Sequence, residues 1–121
     1  MHTFLIVDDS TAIRRSLRSW IEGNLDWRVC GEAENGQVAI QKADELRPDI
    51  VILDFRMPVM DGLEAARRIL HRSPATAIVM FTLHPSRELL KAAMDAGVRS
   101  VVSKTDPLAK HLSNALQAIF N

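Results

Sequence analysis

The stretch Ile50–Gly62 reads IVILDFRMPVMDG and predicts a buried strand, a loop and the start of a helix. Its first four residues, Ile50–Leu53, are branched and apolar, as expected for a strand covered on both faces in a parallel sheet. The run stops at Asp54, and Pro58 then interrupts regular structure. Asp61 can cap the helix that follows. Asp54 is therefore predicted to lie at the carboxyl end of a buried strand.

Short apolar runs alternate with helical patterns along the whole chain. The predicted strands are Phe4–Val7, Trp27–Cys30, Ile50–Leu53, Ala77–Phe81 and Ser100–Ser103. The predicted helices begin after Asp9 or Ser10, at Asn35-Gly36, at Gly62, near Ser86 and at Pro107. Such alternation implies parallel strands with right-handed crossovers. The predicted fold class is α/β, a single doubly wound (βα)5 domain over residues 1–121 with helices on both faces.

The composition is that of an ordinary globular domain, with 47% hydrophobic and 25% charged residues. Fifteen basic and fifteen acidic side chains leave no net charge to attract nucleic acid or an anionic membrane. No apolar run approaches the roughly 20 residues that cross a bilayer, and the first residues lack a secretory signal. We therefore expect a cytoplasmic protein. Cys30, the only cysteine, excludes an internal disulfide and is expected to be a small buried residue ending a strand.

Polar side chains follow four of the five predicted strands. They are Asp8 and Asp9, Asp54, Thr82, and Lys104. Doubly wound sheets bind their ligands at the carboxyl ends of the strands. These residues are therefore expected to lie close together although they are scattered in sequence.

The chemistry of this set points to phosphoryl transfer. Three neighbouring carboxylates repel one another unless a divalent cation neutralises them, and ligands that are all oxygen favour Mg²⁺ or Mn²⁺. A hydroxyl such as that of Thr82 and an ammonium such as that of Lys104 suit the oxygens of a phosphoryl group. Because a carboxylate can accept a phosphoryl group, the set indicates an aspartyl-phosphate site.

Four motifs in this order resemble those of a known family. They are FLIVDDS at Phe4–Ser10, LDFRMPVMDG at Leu53–Gly62, MFT at Met80–Thr82 and VVSK at Val101–Lys104. Over essentially its whole length, the chain resembles the response-regulator receiver domain, the CheY-like phosphoacceptor module of two-component signalling. The resemblance implies a five-stranded parallel sheet of order 2-1-3-4-5, with helices 1 and 5 on one side and helices 2, 3 and 4 on the other.

The resemblance also implies roles for individual residues. Asp54 would be phosphorylated, and Thr82 and Lys104 would contact the phosphoryl oxygens, Thr82 moving toward the phosphate. The implied Mg²⁺ ligands are Asp8, Asp9, Asp54 and the backbone carbonyl of Arg56. The phosphoryl donor would be a sensor histidine kinase or a phosphotransfer protein. The domain would catalyse only its own phosphorylation and slow dephosphorylation, and the surface of helix 4, strand 5 and helix 5 would control a partner or form a homodimer.

The sequence departs from the family pattern at several positions. Val101 stands where members usually carry an aromatic residue that swings inward on phosphorylation, so the usual ring movement is excluded. Thr105-Asp106-Pro107 follows the lysine in place of an immediate proline, as in receivers attached to helix-turn-helix domains. Arg56 and His84 occupy the variable positions that tune hydrolysis in this family, by hindering water or by contacting the phosphate.

Other functions fit the residues less well. A small Mg²⁺-dependent phosphohydrolase with an aspartyl nucleophile would need a second acid two residues after Asp54, where Arg56 stands. A nucleotide-binding fold would need a glycine-rich phosphate loop, and none is present. No output domain and no basic helix-turn-helix is predicted within residues 1–121, so direct nucleic-acid binding is not expected. Whether the receiver stands alone or forms part of a transcriptional regulator stays open.

The first helix carries basic residues away from its apolar stripe. They are Arg14, Arg15 and Arg18. The simplest interpretation is a solvated face, and the alternative is a docking surface for the kinase.

Overall fold

Five strands alternate with five helices in the computed structural model, which describes residues 1–105 and 110–120. The elements are β1 His2–Val7, α1 Thr11–Glu22, β2 Trp27–Ala33, α2 Gly36–Leu46, β3 Ile50–Leu53, α3 Gly62–Arg72, β4 Ala77–Thr82, α4 Arg87–Asp95, β5 Ser100–Ser103 and α5 Lys110–Phe120. Within these described ranges, no helix is both long enough and apolar enough to cross a membrane.

All strands are parallel and form one sheet in the order β2-β1-β3-β4-β5. The predicted strand order and fold class are confirmed. Strand order reverses between β1 and β3, which lie side by side although α1, β2 and α2 separate them in sequence. A doubly wound sheet opens its ligand-binding crevice at this reversal. The carboxyl ends of β1 and β3 therefore lie at the centre of the predicted site.

Successive side chains of each strand enter opposite hydrophobic cores. On β1, Leu5 and Val7 pack with residues of α2, α3 and α4, whereas Phe4 and Ile6 pack with residues of α1 and α5. This alternation follows from the two-residue period of a strand. Because both cores are filled, β3 is apolar and buried at every position, as its sequence predicted. The distribution of helices between the two faces is confirmed.

Polar caps fix where the helices begin. Ser10, rather than Asp9, caps α1, its hydroxyl accepting a hydrogen bond from the Ile13 amide at 3.3 Å. The side chains of Asn35, Asp61 and Ser86 accept equivalent bonds at the starts of α2, α3 and α4. Each such cap contributes about 1 kcal/mol. Pro107, predicted in the first turn of the last helix, lies outside the described residues.

The second strand is longer than predicted, and Cys30 does not end it. The pairing shifts by one residue within the strand, so that Phe4 lies opposite Val29 and Leu5 opposite Gly31. Cys30 is the extra residue of this bulge, and its thiol donates a hydrogen bond to the Phe4 carbonyl at 3.3 Å. Cys30 is half-buried and not buried as predicted, and this partial burial raises the pKa of its thiol.

The predicted solvated face of the first helix is wrong for Arg14, whose side chain is 15% exposed, whereas the Arg18 side chain is 39% exposed. Arg14 and Arg18 reach across to β2 and hold the two carboxylate oxygens of Glu32, at 3.0 and 2.7 Å. Arg15 is exposed, as predicted. The residue pattern of α1 does not indicate this pairing because Glu32 lies well outside the helix. An ion pair of this kind ties α1 to the edge strand of the sheet.

Candidate functional site

The end of β1 carries one buried and one exposed acid. The Asp8 amide donates to the Ala33 carbonyl at 3.0 Å and so continues the pairing of β1 with β2. The Asp8 side chain is buried, and its Oδ1 accepts the Ser10 amide at 2.9 Å. Asp9 is exposed. The strand thus delivers one carboxylate into the site and places the next at its rim.

The end of β3 places Asp54 beside these acids. The Asp54 amide donates to the Val7 carbonyl at 2.9 Å, which aligns the two strand ends. Asp54 is 6% exposed. One carboxylate oxygen from each of Asp8, Asp9 and Asp54 lies within 4.8 Å of the others. The predicted acidic cluster is therefore present.

Lys104 joins two of these acids. Its Nζ lies 2.6 Å from Asp8 Oδ2 and 3.1 Å from Asp54 Oδ2. The lysine follows β5 directly, and its amide donates to the Thr82 carbonyl at 2.8 Å. Lys104 therefore extends across the end of β4 to reach acids carried by β1 and β3.

Thr82 is the last residue of β4 and is 3% exposed. Its strand lies between β3 and β5, and Thr82 pairs with Ser103, the residue before the lysine. Its hydroxyl therefore belongs to the same edge of the sheet as the acids and the ammonium. The sequence-predicted residues at the strand ends are all found at this edge.

The charges of the site are not balanced. Burial raises the pKa of Asp54, the nearby charge of Asp8 raises it further, and the Lys104 ammonium opposes both effects without cancelling them. The single ammonium is shared between two buried carboxylates, and Asp9 adds a third negative charge at the rim. A further cation would relieve this repulsion.

The side chains of the cluster fit Mg²⁺. The cluster offers oxygen donors alone, which is the donor set that Mg²⁺ and Mn²⁺ prefer over zinc or copper. One member, Asp9, is open to solvent, so an ion could enter with part of its water shell. The residues that would hold it are Asp8, Asp9 and Asp54.

Three other predicted residues lie around this centre. Arg56 and His84 are exposed in the loops after β3 and β4, and their effects on hydrolysis stay predictions, as does the Arg56 carbonyl as a ligand. Val101 on β5 is partly buried and packs against the core that contacts α2, α3 and α4. It lies opposite Met80 of β4, two residues before Thr82.

Gly62 supports the site in a way that the sequence analysis missed. Its amide donates to the Phe55 carbonyl at 2.7 Å, and a Cβ at this position would lie 2.0 Å from the backbone oxygen of Asp54. Only glycine permits this approach. The available sign was a glycine at the first position of α3, where its low helix propensity needs a reason.

Known proteins are similar to this chain over most of its length. The family model for the response regulator receiver domain matches residues 4–116. The chain is 36% identical over 104 residues to chemotaxis protein CheY of Listeria monocytogenes, an alignment covering 86% of this chain and 87% of CheY. It is 39% identical over 104 residues to the transcriptional regulatory protein YdfI of Bacillus subtilis, covering 86% of this chain and 48% of YdfI. The chain spans half or less of several curated relatives.

A solved structure is also similar to this chain over nearly its whole length. The CheX-CheY-BeF3-Mg²⁺ complex of Borrelia burgdorferi contains a chain similar to this one, with a TM-score of 0.90 and 26% identity over 99% of this chain and 90% of that chain. These comparisons support the phosphoacceptor switch and not the phosphohydrolase alternative. With the family model matching nearly its full length, the chain belongs to the response regulator receiver domains of two-component signalling.

Proposed function

We propose that Asp54 is the phosphoacceptor of this receiver domain and that Asp8, Asp9 and the Arg56 backbone carbonyl join it as ligands of Mg²⁺. The family acts as a phosphoacceptor switch and generally binds Mg²⁺ at an acidic pocket. The observation that carries the assignment is the Lys104 ammonium shared between Asp8 and Asp54 at the end of the sheet. Among the acids of the cluster, Asp54 combines burial, contact with this lysine and a raised pKa.

The reaction is a transfer between a phosphohistidine and a carboxylate. An oxygen of ionised Asp54 attacks the phosphorus, the P–N bond breaks, and the histidine imidazole leaves with the electron pair of that bond. Mg²⁺, when bound, would offset the negative charge of the phosphoryl oxygens. Lys104 would pair with a phosphoryl oxygen in place of the Asp54 oxygen that it now contacts. The donor would be a sensor histidine kinase or a phosphotransfer protein.

The output would run from the strand ends to a nearby surface. Thr82 would turn its hydroxyl toward the phosphoryl group and leave space beside β5. Val101 has no ring to move into such a space, so its response would be a change of packing. The helix α4 exposes Leu90 and Met94, and these apolar side chains support α4, β5 and α5 as the surface for a partner or a second copy.

Receiver domains are in general non-enzymatic switches, and we propose that this chain catalyses only its own phosphorylation and dephosphorylation. The exposed Arg56 and His84 would set the rate of hydrolysis. The balanced charge supports a chain that does not itself bind nucleic acid or membrane. We propose a cytoplasmic location, where histidine kinases present their phosphohistidine.

Intact mass after incubation with Mg²⁺ and acetyl phosphate tests the assignment. We expect the wild-type chain to gain one phosphoryl group, only when Mg²⁺ is present, and Asp54→Asn to gain none. Asp95→Asn, which removes an exposed carboxylate on α4, is the matched control and should label like the wild type. Labelling of Asp54→Asn at the wild-type level would assign the phosphoryl group to another residue and overturn the proposal.

A further inference from the structure

The backbone of Asp8 is held from both sides. Its amide donates to the Ala33 carbonyl, which is ordinary strand pairing. Its carbonyl lies beyond the pairing of β1 and accepts a hydrogen bond from Arg14 Nη1 at 2.6 Å. This carbonyl belongs to the peptide that joins Asp8 to Asp9, and the peptide is planar. Fixing its oxygen therefore fixes the direction in which the chain enters Asp9.

Arg14 is itself held in place. Its Nε donates to Glu32 Oε1 at 3.0 Å, and Arg18 takes the other carboxylate oxygen at 2.7 Å. Lys42 of α2 donates to the Glu32 backbone carbonyl at 2.5 Å, which anchors the strand that carries the carboxylate. The Arg14 side chain is only 15% exposed. The guanidinium is a planar fork, so it can bind Glu32 and Asp8 together in few orientations.

The charge of Arg14 has the wrong sign for a direct role in binding a cation. A guanidinium close to the acidic cluster repels Mg²⁺, and removing it should strengthen binding if charge were its main effect. A geometric role predicts the opposite, because loss of the hydrogen bond frees the Asp8–Asp9 peptide to rotate. The two explanations therefore differ in the sign of one measured quantity.

We propose that Arg14, fixed by Glu32, is a positioning residue that orients the Asp8–Asp9 peptide for Mg²⁺ binding. The inference rests on the proposed function, in which Asp8 and Asp9 are ligands. Groups that orient metal ligands through a hydrogen bond commonly change metal affinity by 10-fold or more when removed. Arg14 touches neither the ion nor the phosphoryl group, so its effect should be on metal affinity rather than on the chemistry of transfer.

Isothermal titration calorimetry with MgCl₂ tests the sign. For Arg14→Gln we expect the Kd for Mg²⁺ to rise about tenfold. Arg15→Gln is the matched control, since it removes the same charge from the next residue of α1, which is exposed. Its Kd should stay within about twofold of the wild type or fall slightly, because one repelling charge is lost.

Three further variants separate the effect of position from that of charge. Arg14→Lys keeps the charge but lacks the fork, so its Kd should also rise. In the cycle of Arg14→Gln and Glu32→Gln, the double variant should be no weaker than the worse single variant, because both changes break one contact chain. At saturating Mg²⁺, Arg14→Gln should be phosphorylated by acetyl phosphate within about twofold of the wild-type rate.

The inference would be overturned by a Kd for Arg14→Gln that is unchanged or lower, provided that thermal unfolding shows a folded chain. The Arg14–Glu32 ion pair would then serve only to hold α1 against β2. If Arg14→Gln does not fold, an unchanged Kd for Arg14→Lys overturns it equally. Asp9→Asn distinguishes this failure from that of the proposed function. Mg²⁺ binding that Asp9→Asn leaves unaffected, or no binding by the wild type, would refute both proposals.

Discussion

Two groups of three charged side chains lie on either side of the Asp8 backbone, and their charges are matched in opposite ways. The first group, the site triad, consists of Asp8, Asp54 and Lys104. The second, the brace triad, consists of Arg14, Arg18 and Glu32. The site triad has two acids for one cation and is nearly inaccessible to solvent. The brace triad has one acid for two cations and is partly exposed.

The difference is visible in the pKa values of one acid from each triad. Burial and the charge of Asp8 raise the pKa of Asp54 above its ordinary value. Burial also acts to raise the pKa of Glu32, but the hydrogen bonds and charges of Arg18 and Arg14 outweigh it and lower that pKa. At neutral pH the charge on Asp54 therefore opposes folding, whereas the charge on Glu32 supports it. The carboxylate of the brace triad is already neutralised by its two arginines. The two carboxylates of the site triad are neutralised only when a further cation binds.

Removal of Lys104 should give the largest effect on stability. Lys104→Met leaves two buried carboxylates without their shared cation, and we expect the free energy of unfolding without Mg²⁺ to fall by about 3 kcal/mol. Urea denaturation in EDTA measures it. Lys91→Met, which removes an exposed lysine from α4, is the control and should change stability by less than about 0.5 kcal/mol. Equal effects of the two variants would show that the ion pairs of Lys104 do not contribute to the free energy of unfolding.

Neutralising Asp54 should have the opposite sign. Asp54→Asn removes the repulsion with Asp8 and leaves Lys104 to pair with Asp8, so the free energy of unfolding at pH 7 without Mg²⁺ should rise by about 1–2 kcal/mol. Because the pKa of Asp54 is raised by folding, the advantage is present at high pH and disappears as the pH falls below the ordinary value of 3.8. Denaturation curves between pH 7 and pH 3.5 check both the sign and the trend. A less stable variant at pH 7 would contradict the imbalance assigned to the site.

Neutralising Glu32 should destabilise the fold by about 1 kcal/mol at pH 7. The pKa of Glu32 is lowered by folding, so its contribution is fully present above the ordinary value of 4.5 and is lost as the pH falls through the lower value of the folded state. The gap between wild type and Glu32→Gln should therefore close in acid, and denaturation between pH 7 and pH 3 measures it. Glu34→Gln, an exposed neighbour beyond the end of β2, should show neither the gap nor its closure.

The strand ends were predictable from sequence, and the contacts between distant residues were not. The apolar run of β3 stops at Asp54 because a covered strand excludes charge, so a local pattern was enough to locate the site. Its companions followed from topology, because parallel strands bring their carboxyl ends to one edge. The pairing of Arg14 with Glu32 joins residues 18 positions apart. The pattern of α1 shows which residues leave its apolar stripe, and nothing in it says what they meet.

Unusual backbone conformations could likewise not be predicted from the sequence where the residue type gave no sign of them. Gly62 could be suspected, since a glycine opening a helix needs an explanation. Val59 could not, because a branched residue is a poor candidate for a left-handed conformation. It nevertheless has a φ of 72°, and the Met60 amide donates to the Pro58 carbonyl across it at 2.7 Å. Tight three-residue turns with positive φ are rare and strained. Backbone strain in the loop after Asp54 is therefore present in addition to the unbalanced charge of the site triad.

Relief of that strain should give the smallest of these effects. Val59 is 79% exposed, so Val59→Gly loses no core packing and removes the clash of a branched Cβ at positive φ. Glycine also gives the unfolded chain more freedom, which offsets part of the gain. We expect a net rise in the free energy of unfolding of about 0.5 kcal/mol, seen as a higher urea midpoint at an unchanged slope. Val59→Ala keeps a Cβ and should gain less than glycine. If the glycine variant were the less stable of the two, the left-handed turn would not be a source of strain, and the contrast between the site and the brace would be one of charge alone.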